Sequence, residues 1–188
     1  MGGNSNAGGI ICSASGSIIE KCTVSGKVLG KYGTGGIIAS FGNFSGIFKD
    51  FPSEAPTLWA QLLDQGIGIR ERTNTAEICS ETSEAGGIVA TIFSSTSLGF
   101  TIDQLNHYEY WAPTEIADCT NSGDVSGYGG ITGTAGGICG GISTNTKVQD
   151  EKQITETWSI INRHNSGNIY GEDNTGSNLK VGGNRNSF

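Results

Sequence analysis

Few residues of this chain could do bond chemistry, and they are thinly spread. Asp103 and Glu109 come nearest to an acid/base pair, in the stretch "TIDQLNHYEYWAP". Glycoside cleavage needs two carboxyl groups about 5–10 Å apart, a distance that sequence separation does not give. Beside them stand Tyr108, Tyr110 and Trp111, rings that could stack on a sugar or a protein partner. His107 and His164 are the two histidines, and no Ser-His-Asp grouping can be built on them. The five cysteines are Cys12, Cys22, Cys79, Cys119 and Cys139; an odd number leaves at least one unpaired within a single chain, and none has zinc spacing. "GYGGITGTAGG" at 127–137 lacks the Lys-Ser/Thr and the helix start of a phosphate loop. These residues predict no catalytic group, no metal and no cofactor, with Tyr108, Tyr110 and Trp111 as the candidate ligand contact.

What must position them is a repeat. "IEKCTVSGKVLG" (19–30), "IRERTNTAEICS" (69–80), "IADCTNSGDVSG" (116–127) and "IINRHNSGNIYG" (160–171) align without gaps. A Gly-Gly-Ile/Val element accompanies them: "GGII" at 8–11 and again at 35–38, "GGIV" at 86–89, "GGIC" at 136–139 and "VGG" at 181–183. Gly8 and Gly35 lie 27 residues apart, the length of the bare unit, and later copies are longer. The extra residues always fall between Gly-Gly-Ile and the next Ile-x-x-Cys/Arg, as insertions in repeat proteins collect on one face.

A unit of this length with three short apolar marks fits one coil of a parallel β-solenoid, with about three strands per coil and coils about 4.8 Å apart. Three interior columns are predicted: Ile10, Ile37, Ile88 and Ile138; Ile19, Ile69, Ile116 and Ile160; Val28, Ile78, Val125 and Ile169. The glycines mark corners of positive φ or close backbone approach. Cys22 and Cys119 share one repeat position, Cys12 and Cys139 both follow a Gly-Gly-Ile element, and inward-stacked free thiols are expected. A β-sandwich would also have short, regularly spaced strands, but it would not demand the same residues at each turn.

Composition agrees. Glycine is 31 of 188 residues, proline 3 and charged residues 15%, which fits short strands and tight turns. Net charge is −7, and the 11 Lys and Arg are scattered. A phosphate-tracking surface needs them clustered, so neither nucleic acid nor an anionic membrane surface is an expected partner. No signal peptide is visible, and no apolar run approaches the ~20 residues of a membrane helix.

"CTNSGDVSG…GGITG…GGICG" resembles the GLUG-type repeat of bacterial surface proteins, as four imperfect copies across 1–188. The resemblance implies a right-handed solenoid of about four coils. It also implies an extracellular, cell-surface location and a structural or adhesive role without catalytic residues. Arg72 and Arg163 depart from it where the other copies have Cys, which predicts an ended or distorted sulfur column. The whole chain reads as one repeat domain, a fragment of a larger protein, whose uncapped coils could associate end to end.

Individuality lies in the inserts, about 43–66, 92–113 and 143–157. The first predicts a short helix, with Ser53 as N-cap, Gly66 as stop, and Leu58, Trp59, Leu62 and Leu63 on one face. Trp59, Trp111 and Trp158 are one per insert and read as anchors onto the solenoid side. Leaving one corner of successive coils, the inserts should lie side by side and present a surface to a glycan or to a host or surface protein. The rival function is a polysaccharide lyase or hydrolase using the solenoid side as a sugar groove. For that, Glu77 and Asp124 are the only carboxylates in phase, at a position shared with Lys27 and Asn168. A third reading, ice or mineral binding, would use the aligned threonines 23, 73 and 120. That row breaks with Asn at 165, and no regular Thr-x-Thr continues it.

Overall fold

The computed structural model describes residues 6–42, 45–48, 67–93, 108–111, 114–128, 134–143, 146–149, 152–155, 158–172 and 180–182. Every element among them is a strand of two to five residues. Successive turns of chain stack so that each lays one strand on each of five parallel strips. The first strip joins Ala7–Gly8, Thr34–Gly35, Ala85–Gly86, Thr134–Gly136 and Lys180–Gly182. The second joins Ile11–Ser15, Ile38–Gly42, Val89–Phe93 and Cys139–Ser143. The third joins Ile18–Glu20, Ile67–Arg70, Thr114–Ala117 and Trp158–Ile161. The fourth joins Thr23–Val24, Thr73–Asn74, Thr120–Asn121 and His164–Asn165. The fifth joins Lys27–Gly30, Glu77–Ser80, Val125–Tyr128 and Ile169–Glu172. Parallel neighbours normally need a crossover of a dozen or more residues; here the coil itself is the crossover. This is the stacked parallel β-solenoid that the repeat predicts.

The predicted columns form, except that Ile10, in the first coil, is exposed and lies outside the core that Ile37, Ile88 and Ile138 share. Ile19, Ile69, Ile116 and Ile160 stand in register, as do Val28, Ile78, Val125 and Ile169. The Ile10 amide bonds to the Ile37 carbonyl, Ile37 to Ile88, and Ile88 to Ile138, at 2.9–3.0 Å. Ile37, Ile69, Ile78, Ile88, Ile116 and Val125 are fully buried in one core. Burial of that kind is worth about 1.5–3 kcal/mol per aliphatic side chain. In the second coil's fifth-strip strand the burial alternates: Ile78 and Ser80 are buried, whereas Glu77 is exposed and Cys79 half-buried.

The coil has five strips rather than three strands, because two further bends divide it. One falls at Lys21, Glu71, Asp118 and Asn162, all left-handed, with φ between 48° and 55°. Glycine was the expected residue at such a bend, yet four unlike side chains fill it. The conformation costs an ordinary residue about 1–2 kcal/mol. Bonds to the next coil hold it, Glu71 N–H to the Ala117 carbonyl (3.1 Å) and Asp118 N–H to that of Ile161 (3.3 Å).

The Gly-Gly pairs serve close approach instead. A Cβ at Gly35, Gly86 or Gly136 would overlap the carbonyl oxygen three residues on, that of Ile38, Val89 or Cys139. A Cβ at Gly36, Gly87 or Gly137 would drive into Asn74, Asn121 or Asn165, which reach across the same coil. The coil is flattened until backbone meets side chain, so both positions must lack a Cβ.

Candidate functional site

All three inserts leave between the second and third strips, after Gly42, Phe93 and Ser143, and return at Ile67, Thr114 and Trp158. In the first coil the same corner is closed by Gly16, at φ 57°, and Ser17 alone. This corner admits whole inserts; the corner between the fifth and first strips also lengthens, from Gly30–Thr34 and Ser80–Ala85 to Gly127–Ala135 and Gly171–Val181 at matched register positions, so not all of the extra length falls where the repeat spacing placed it. The predicted helix over 53–66, Trp59, Asp103 and His107 lie outside the described residues.

The first and second inserts meet. Tyr108–Trp111 pairs antiparallel with Ser45–Phe48, setting Tyr108 opposite Phe48, Glu109 opposite Ile47, Tyr110 opposite Gly46 and Trp111 opposite Ser45. Residues of an extended strand alternate between its two faces. Tyr108 and Tyr110 therefore occupy positions of one face of this ribbon, and Trp111 a position of the other. The predicted aromatic trio is held on one strand but divided between two faces. The third insert forms its own hairpin, Thr146–Gln149 against Lys152–Thr155. Trp158 opens a frame strand opposite Thr114, so it belongs to the solenoid rather than to an insert.

The frame's polar residues are largely engaged in stacking. Lys27 Nζ lies 2.7 Å from Glu77 Oε1 across the first two coils, and this hydrogen bond raises the Lys27 pKa. Asp124 Oδ1 accepts the Asn168 N–H at 2.9 Å. The two carboxylates in phase are thus tied to the neighbouring coils. Arg70 and Glu115 approach to 3.5 Å between the second and third coils. On the fourth strip Thr120 pairs with His164, so histidine ends the threonine row, and Asn165 belongs with Asn121. Ser25, Thr75, Ser122 and Ser166 run alongside, which makes the hydroxyl pattern more regular than the sequence reading allowed. Two of these hydroxyls bond within the stack, Thr75 Oγ1 to the Val24 carbonyl (3.2 Å) and Ser122 Oγ to that of Asn74 (3.5 Å).

One interior column escaped the sequence reading, and a second differs from it. Asn74 Nδ2 donates to Asn121 Oδ1 at 2.7 Å, and Asn121 Nδ2 to Asn165 Oδ1 at 2.6 Å. Each amide also donates to the carbonyl two residues on, that of Ala76, Gly123 or Gly167, at 2.8–3.0 Å. Asn74 and Asn121 are fully buried. The ladder ends in the first coil at Val24, which pairs with Asn74. The signal was there, an Asn at the same repeat position three times, but asparagine in a Ser/Gly-rich segment reads as a turn.

The second column is Cys22, Arg72 and Cys119, continued in the fourth coil by the exposed Arg163. Arginine does not break the winding: Thr73 N–H bonds to the Cys22 carbonyl, Thr120 N–H to that of Arg72 and His164 N–H to that of Cys119, at 2.7–3.2 Å. Cys22 and Cys119 thiols donate to the Glu20 and Ala117 carbonyls, at 3.4 and 3.2 Å, just before the left-handed bend. All five cysteines are free. Cys139 and Cys12 do not share a position. Cys139 lines up through Val89 and Ile38 with Ile11, so Cys12, one residue later, is exposed.

Burial pushes the Cys119 thiol up to about 11 and that of Cys139 up to about 12. The fold therefore favours the protonated forms. Their contribution is intact below the ordinary thiol pKa, near 9, and lost as pH rises through 11–12. Stability should fall between about pH 9 and 12, less steeply in Cys119→Ala measured against its own neutral-pH value. At pH 8 iodoacetamide should modify Cys12 long before Cys119, as peptide mapping of the native protein would read; early loss of Cys119 would contradict its burial.

Residues 3–29 match a family model, the GLUG motif. That span is the first coil, from before Ala7–Gly8 to the fifth strip, and register carries its positions into the next three coils. No curated protein and no solved structure is detectably similar to the chain. Among the described residues, no three His, Cys, Asp or Glu side chains are grouped to hold a metal ion.

Proposed function

The chain is a GLUG-repeat protein, and from that premise we propose a non-catalytic structural and adhesive role on a bacterial cell surface. The solenoid serves as a rigid mount, and the inserts between its second and third strips engage an extracellular glycan or a surface protein. The observation that carries this reading is the ribbon. Strands from two different coils' inserts pair with each other, so the corner builds a composite surface, and two tyrosine positions share one of its faces. Columns of isoleucine, asparagine and cysteine meanwhile fill the frame with contacts that serve stacking.

A glycan-array screen, paired with capture of surface proteins, tests the reading. Tyr108→Ala/Tyr110→Ala should lose about tenfold in affinity per stacked ring while keeping its β-sheet circular dichroism. Unchanged binding by that variant would remove the ribbon from the account. Release of new reducing ends from a bound polysaccharide would instead favour the hydrolase reading, and release of unsaturated ends the lyase reading.

A further inference from the structure

Arg72 is fully buried, the only charged side chain to be so among the described residues. It points into the stack between the positions of Cys22 and Cys119 in the flanking coils. Its Nη1 reaches the Glu71 carbonyl at a long 3.4 Å. Nε and Nη2 have no hydrogen-bond partner. Those two nitrogens form one edge of the guanidinium, the fork that grips an anion through parallel N–H groups.

An unmatched buried charge costs several kcal/mol, and guanidinium does not escape by shedding its proton. Burial does lower the Arg72 pKa, with Cys22, Cys119, Glu20 and Glu71 acting the other way. None of these supplies the missing contact. Glu20 and Glu71 are exposed, the Cys119 thiol is held protonated and donates to Ala117, and the Cys22 thiol donates to Glu20. In this column the neighbours of the long arginine in the flanking coils are short cysteines.

We propose that Arg72 holds one small monovalent anion of chloride size inside the coil stack, gripped by the Nε–H and Nη2–H edge. The anion supplies the charge the interior lacks, and it couples the stability of the second coil to the surrounding halide.

The full-length chain tests this by thermal unfolding in sodium chloride, sodium bromide and sodium gluconate at equal ionic strength. A bound halide should raise the midpoint by at least about 2 °C over gluconate and saturate with concentration. Arg72→Met, similar in volume and uncharged, should abolish the difference, whereas Lys27→Gln should keep it. Crystals grown in bromide should show anomalous scattering beside Arg72 Nε, a readout that stands even if Arg72→Met fails to fold. Equal midpoints in halide and gluconate, a difference that survives Arg72→Met, or no bromide at that edge would each overturn the proposal. So would alkylation of Cys22 that slows in Arg72→Met and ignores halide, because the thiolate would then be the counter-charge.

Discussion

Replacing Gly87 with alanine should prevent the native stack from forming, or destabilise it by more than about 4 kcal/mol, where single substitutions become exceptional. A Cβ there would overlap the Gly137 carbonyl oxygen of the next coil and the Asn121 side chain of its own. Neither obstacle can yield alone: the Gly137 carbonyl lies in the tight corner of its own coil, and Asn121 is bonded on both sides. Because the corner recurs, relief would need every coil to widen together. Gly141→Ala is the matched control. Its nearest neighbours are Glu84 Cγ, at 3.4 Å, and the Thr134 hydroxyl, at 3.7 Å, so it should change stability by less than about 1 kcal/mol. Chemical denaturation of both variants checks the pair. If Gly87→Ala folds with near-normal stability, the coil is not flattened as described.

The second large effect belongs to Asn121. Its amide donates to Gly123 and Asn165 and accepts from Asn74. Asn121→Val strips partners from three groups at once, two of them buried and Asn165 half-buried, each costing about 1–3 kcal/mol when left unsatisfied in the interior. The sum is on the order of 3–5 kcal/mol. Asn74→Val unpairs the Ala76 N–H, the Ala76 carbonyl and Asn121 Oδ1, so it should cost a similar amount. Denaturant midpoints of the two single valine variants and of the double variant are the measurement. A double loss smaller than the sum marks a connected row, and a simple sum would mean that the amides act singly.

These two columns mark where sequence reading succeeds and where it stops. The isoleucine columns were legible because one residue type recurs at three spaced marks, and only stacking explains the recurrence. The corner for whole inserts was legible from where most of the extra length falls. The number of bends was not, because Lys21, Glu71, Asp118 and Asn162 share a backbone conformation and no chemistry. Arg72 looked like an interruption of a sulfur column, yet the backbone ladder runs straight through it. The pairing of Ser45–Phe48 with Tyr108–Trp111 had no signature at all, since neither insert repeats the other.

In the first coil, Gly16 and Ser17 suffice to turn the corner that later coils fill with whole inserts. Closing a loop there costs only about 0.6 kcal/mol more for each doubling of its length. Sequence drift is therefore inexpensive at that corner and severe along the columns. The surface that the inserts present can be rewritten by grafting new segments at that corner, with no renegotiation of the winding that carries them.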